Sequence, residues 1–192
     1  MTIRPAAAAA LLLTGVLVLS GCTTTPGDHS SMPGMDHSAS PAAGDADVMF
    51  ASMMIVHHRQ AVEMSALILD KDGVDPRVTD LAERIQAAQQ PEIEQLQRWL
   101  DDWGVAADDG AGMDHGDGMM TDDDLAALDA APGPEASRLF LEQMIAHHEG
   151  AIEMAQEQIA EGRDADAIAL ARAIVEAQGA EIAEMTGILA TL

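Results

Sequence analysis

Two stretches of this 192-residue chain carry the same chemistry-bearing string. Phe50-Ala-Ser-Met-Met-Ile-Val-His-His-Arg-Gln-Ala-Val-Glu-Met64 aligns with Phe140-Leu-Glu-Gln-Met-Ile-Ala-His-His-Glu-Gly-Ala-Ile-Glu-Met154 at a constant offset of 90. On a helix that advances about 100° per residue, Met54, His57, His58, Ala61 and Met64 fall on one face roughly 120° wide, with Glu63 opposite. Met144, His147, His148, Ala151 and Met154 repeat that face. Each copy thus presents two imidazoles and two thioethers, and side chains three or four apart can meet on one ion. Thioether with imidazole suits Cu(I) and, by softness, Ag(I). Mg²⁺ or Ca²⁺ would ask for oxygen ligands. The competing reading makes the methionines core packing and the histidines satisfied polar residues. Duplication of both His-His pairs favours metal ligation, because four buried imidazoles are costly unless each finds partners. His58 lies nearer the Met54 direction and His57 nearer Met64, so the choice within each pair stays open.

A second, weaker repeat follows each histidine pair. Ile85…Gln89-x-x-Glu92-Ile93…Leu100 matches Ile174…Gln178-x-x-Glu181-Ile182…Leu189 at an offset of 89. Gln89 and Glu92, and likewise Gln178 and Glu181, share a helix face with core residues. An inward carboxylate needs a donor, and a histidine N–H would serve while fixing the ring for a metal. The alternative is a carboxylate that reaches water or an arginine from the helix edge. Two polar segments repeat Gly-Met-Asp-His, at 34–37 and 112–115. Met32, Met35 and His37 lie in one; Met113, His115, Met119 and Met120 lie in the other. Neither segment has a core to fill, so these residues read as auxiliary soft sites that raise the local metal concentration.

The elements that must position these groups are helical throughout. Apolar residues recur at helical spacing from Asp47 to Lys71, where Asp72-Gly73 supplies a stop. Asp75-Pro76 restarts a helix that runs to about Trp103, with Pro91 expected to kink it. Thr121 to Asp124 resembles a capping box for a short helix to about Ala131. Pro132-Gly-Pro134 breaks the chain, a long helix runs from about Glu135 to Glu161 with Gly162 as its cap, and the last starts near Asp164. The expected architecture is all-α: a four-helix bundle from two duplicated hairpins, 47–103 and 135–192, joined by a long crossover, 104–134, with a short extra helix.

Residues 1–21 read as a secretory signal: Arg4, a short apolar run, and Leu19-Ser20-Gly21-Cys22 as a lipobox with Cys22 as the lipidated residue. The apolar run is short for a membrane span. Residues 22–46 then read as a disordered tether, and the expected address is extracytoplasmic, with the membrane engaged through the N-terminal lipid. Nine Lys and Arg against 33 Asp and Glu give a net charge of −24, which repels phosphate backbones and argues against nucleic acid as a partner. One cysteine makes neither an internal disulfide nor a thiolate cluster. The 13 methionines, beside only two Phe and two Trp, are the soft donors that remain.

The doubled Met-x-x-His-His-x-x-Ala-x-Glu-Met, each copy followed by Gln-x-x-Glu-Ile, resembles the bacterial secreted family called domain of unknown function 305, over residues 45–192. The resemblance implies a ferritin-like four-helix bundle and, from some members, copper binding and resistance through Met and His. It carries over to Met54, His57, His58, Met64, Met144, His147, His148 and Met154. Copper transport or copper resistance proteins would be the exchange partners. Arg59-Gln60 stands in the first copy where Glu149-Gly150 stands in the second, which leaves room for the halves to differ in affinity or selectivity. The bundle also raises a di-iron or di-manganese oxidoreductase as an alternative. That centre wants Glu-x-x-His on two helices, and no glutamate lies three residues before any of the four paired histidines. A structural lipoprotein without metal is the third reading. No nucleophile–base constellation or phosphate loop is present to suggest an enzyme.

Overall fold

Five helices follow from local punctuation in the sequence, and the computed structural model describes them over residues 43–105 and 118–192. They are α1 (Asp45–Leu69), α2 (Pro76–Asp102), α3 (Asp122–Ala130), α4 (Gly133–Glu161) and α5 (Ala165–Leu189). Among the described residues there is no strand. The Asp75 carboxylate accepts from Arg77 N at 2.9 Å to open α2, with Pro76 at the first position, where its missing N–H costs nothing. Thr121 and Asp124 exchange hydrogen bonds in a capping box at the start of α3. Asp164 accepts from Asp166 N and Ala167 N at the start of α5.

Two boundaries differ from the sequence expectation. Helix α1 begins two residues earlier, at Asp45, because the Asp47 carboxylate accepts from Gly44 N at 2.7 Å and satisfies the free N–H there. Helix α4 begins at Gly133: Pro134 falls in its first turn, where proline is tolerated, so the Pro-Gly-Pro string starts the helix. Helix α2 runs unbroken across Pro91, whose side chain is exposed on the outer face. Gly162 closes α4 at φ −65°, so it is no left-handed cap.

Helices α1 and α4 run antiparallel as the central pair; α2 packs mainly on α1, and α5 on α4. The two ends of α1 show the direction. Near its start, Asp47 bonds Gln158 and Arg163 at the end of α4. Beyond its C-terminus, the Asp72–Gly73 turn lies against Gly133 at the start of α4. The expected all-α four-helix bundle is the architecture observed, with α3 lying in the crossover.

Its core is two apolar clusters. One gathers Met64, Ile68, Leu81, Ile85, Leu128, Phe140, Met144 and Met185 among others. The other gathers Phe50, Met54, Ile93, Leu96, Ala151, Ala155 and Ile174. On all four long helices the break between the clusters falls at polar residues: His57 and His58, Gln89 and Glu92, His147 and His148, Gln178 and Glu181. A polar belt therefore crosses the middle of the bundle.

The crossover is seated by the two residues that break the repeat. The Gln60 side chain donates to Met120 O at 2.8 Å and accepts from Met120 N at 2.7 Å. On the other side Gly118, at φ +95°, lies so close to α4 that a Cβ there would stand 2.6 Å from Ala146 O and 3.0 Å from Gly150 Cα. The Arg59-Gln60 against Glu149-Gly150 difference thus has a structural use: one helix holds the strap and the other makes room for it. Met120 packs against the first core cluster, which corrects the expectation that packing has no use for it.

Candidate metal centre

The belt is built from two hairpins whose local geometry is alike. In the first, His58 Nε2 lies 2.7 Å from Glu92 Oε2; in the second, His148 Nε2 lies 2.8 Å from Glu181 Oε2. A carboxylate only accepts, so Nε2 is the protonated nitrogen and in the neutral ring Nδ1 holds the lone pair. Both Nδ1 atoms are buried and have no partner. Both histidines are fully buried, while the two glutamates are partly open to solvent.

His57 and His147 meet across the central helix pair, with ring centroids 3.7 Å apart and planes tilted by 38°. Neither ring nitrogen of either residue has a hydrogen-bond partner, and both side chains are buried. Burial above all, then the neighbouring His58 and His148, holds the His57 pKa down at about 3, against an ordinary 6.5. His147 is held well below its ordinary value by burial and by His57, His148 and His58. Both rings are therefore neutral at physiological pH, with lone pairs facing the protein interior. A fold that needed only packing would place apolar residues there, since an unpartnered buried polar group costs about 1–3 kcal/mol.

Thioethers flank the belt on both sides. Met54 is fully buried in the second cluster, against which Met154 packs, while Met64 and Met144 are fully buried together in the first. The antiparallel α1–α4 pair thus sets Met54 with Met154 at one side of the histidines and Met64 with Met144 at the other. Gln89 and Gln178 are buried in the belt, and the Oε1 of each lacks a partner. Among the described residues no three His, Cys, Asp or Glu side chains are grouped to hold a metal ion. An ion in the belt would accordingly draw on thioethers, or on small ring shifts, besides imidazole. Glu63 and Glu153 are exposed, so the carboxylates that a di-iron centre needs on α1 and α4 face away from the belt.

Among the other sequence candidates, Met119 is half-buried and Met120 is held by Gln60. Cys22, Met32, Met35, His37, Met113 and His115 lie outside the described residues. Two further methionines, Met49 and Met53, lie on α1 outside the histidine face. Met49 is 56 % exposed, and it lines a surface groove with Met53 and Met154. Their spacing of four residues, one turn apart and off the Met54 face, is the signal that was available.

The family profile for the domain of unknown function DUF305 matches residues 47–189. The chain belongs to this family. A DUF305 protein from Streptomyces coelicolor is similar at 34 % identity and a TM-score of 0.71, over 76 % of this chain and 92 % of that one. A DUF305 fragment from Deinococcus radiodurans is similar at 32 % identity and a TM-score of 0.70, over 79 % of this chain and all of the fragment. CopM, in its Cu(I)-bound form, is 30 % identical with a TM-score of 0.61, over 73 % of this chain and 93 % of its own. Structures of CopM with Cu(II) and with silver match as well. No curated protein matches the chain.

The carboxylate partners give a first test. Glu92→Gln with Glu181→Gln keeps side-chain shape but replaces an acceptor that fixes each ring by an amide of either orientation. Loss of such a partner typically lowers metal affinity by about 10- to 100-fold. A fall of at least about tenfold in Cu(I) affinity is expected, read by competition with a coloured Cu(I) chelator. Unchanged affinity would reduce these pairs to helix-packing contacts.

Proposed function

We propose that this protein is an extracytoplasmic copper-binding protein that takes up Cu(I), and Ag(I) by the same softness, through Met and His donors at the middle of its bundle. The observation that carries the reading is the His57–His147 pair: two neutral, buried rings with no partner on any ring nitrogen, set between two thioether pairs. Imidazole and thioether together form a borderline-to-soft donor set that favours a soft monovalent ion over hard divalent cations. The copper- and silver-bound CopM structures support the same chemistry within the family.

Copper is cargo in this reading, held and passed on rather than used as a catalyst. Buffering, tolerance and delivery to copper transport or copper resistance proteins are the roles that fit. Anchoring through a lipid on Cys22 would hold the bundle near the membrane; no helix of the described residues is long and apolar enough to cross it. The Met/His strings at 32–37 and 113–120 would raise the local metal concentration.

Anaerobic Cu(I) loading followed by X-ray absorption is the direct test. Mixed sulfur and nitrogen neighbours are expected, with a concentration-dependent rise in melting temperature on Cu(I) or Ag(I), because a ligand that binds only the folded state must stabilise it. A melting temperature unmoved by either ion would refute the reading.

A further inference from the structure

Methionine at a protein surface is informative when it is not alone. Met49 and Met53 lie one helical turn apart on α1, and Met154 faces them from the antiparallel α4. All three line one groove, whose remaining walls are Ala46, Phe50, Glu157 and Gln158. Met49 is more than half exposed, and the other two are half-buried. Packing does not account for Met49, since it turns most of its surface to water. The groove also breaks the internal repeat. Met64, the counterpart of Met154, is fully buried, and the positions matching Met49 and Met53 are Leu139 and Gln143.

We propose that Met49, Met53 and Met154 form a solvent-facing thioether site for a soft monovalent cation, outside the histidine belt and sharing Met154 with its flanking thioethers. Three neutral sulfurs suit Cu(I) or Ag(I) and discriminate against Zn²⁺, Mg²⁺ and Ca²⁺, which prefer nitrogen, thiolate or oxygen. The Glu157 carboxylate at the rim adds cation attraction without selectivity. Met154 also packs against the cluster that contains the fully buried Met54, the residue next to Met53 in sequence. One thioether therefore links the open groove to the donors beside the belt, and the groove is the loading point from which an ion moves inward by thioether exchange. This inference deepens the reading of the protein as a soft-metal carrier and rests on it.

The test uses Ag⁺, which is diamagnetic and redox-inert, on protein labelled with ¹³C at the methionine methyls and alkylated at Cys22. Wild type, Met49→Leu/Met53→Leu and His57→Leu/His147→Leu are titrated in parallel. Leucine keeps volume and apolarity while removing the sulfur, so the fold is retained. The methyl signals of Met49, Met53 and Met154 should shift together in wild type and in the histidine variant. The methionine variant should still bind at the belt but fill it more slowly. If the Met49 and Met53 methyls stay put while the belt fills, the groove site is wrong and the belt reading stands. Shifts at one methyl alone, or shifts lost in the histidine variant, also overturn a shared site outside the belt. No response anywhere refutes both.

Discussion

Replacing His57 and His147 together by leucine should abolish copper-dependent stabilisation and leave the metal-free protein at least as stable as wild type. The two rings are buried, with centroids 3.7 Å apart, and without a hydrogen bond on any ring nitrogen. Each such group costs about 1–3 kcal/mol relative to a partnered one. Leucine is of similar size and returns apolar burial at both positions. A gain of about 2 kcal/mol in the metal-free state is the expected direction and scale, since removing both members of an unsatisfied polar contact is neutral or stabilising. Wild type at a free Cu(I) concentration 100-fold above its Kd should gain about 2.7 kcal/mol, and the variant should gain none through the belt. Leucine is the right choice because methionine would leave a soft donor behind. Urea unfolding with and without Cu(I) separates the two effects. A metal-free variant several kcal/mol weaker than wild type would mean that the pair serves the fold, and a surviving copper effect would place the ligands elsewhere.

The helices and the chemistry-bearing face were legible because both rest on local rules. Asp75-Pro76, Thr121 to Asp124 and Asp164 carry their own capping chemistry, and the 3.6-residue period put His57, His58, Met54 and Met64 on one arc. What period cannot supply is which helix lies opposite which part of that arc. His58 turns to Glu92 inside its own hairpin, whereas His57 turns across the bundle to His147, although the two are neighbours in sequence. That division follows from α1 running antiparallel to α4, and the same antiparallel run pairs Met54 with Met154 and Met64 with Met144. Gln60 and Gly150 show a second limit. As a break in a ligand-bearing repeat they suggested a difference in metal affinity, but their partners are Met120 and Gly118, in a segment whose docking no local pattern encodes.

Asp47→Ala should produce the largest loss of stability of any single polar substitution in the bundle. An acid in the first turn of a helix reads as a favourable end charge, yet this side chain is fully buried. Its carboxylate accepts from Gly44 N at 2.7 Å, Gln158 Nε2 at 2.6 Å, Arg163 N at 3.0 Å and Asp164 N at 3.2 Å. It thereby fastens the start of α1 to the turn between α4 and α5. Alanine would leave the Gln158 amide and three backbone N–H groups short of an acceptor, each costing about 1–3 kcal/mol, so a total near 3 kcal/mol or more is expected. Asp47→Asn should also weaken the fold, because an amide nitrogen replaces one accepting oxygen among donors. The pH dependence has a definite sign. Burial pushes the Asp47 pKa up, but the bonds from Gln158, Gly44, Arg163 and Asp164 outweigh it and hold the group below its ordinary 3.8. A carboxyl held down in the folded state contributes fully above its unfolded value and loses that contribution as pH falls through the folded one. Wild type should therefore lose the latch only below about pH 4, whereas the Asn variant should lack this component of the acid loss, keeping only that of other lowered carboxyls such as Asp75 and Asp124. Urea unfolding at neutral pH and through the acid range reads both effects. The latch also fixes how Met154, one turn before Gln158, faces Met49 and Met53, so a variant that folds but frays at this end should lose the groove before it loses the histidine belt.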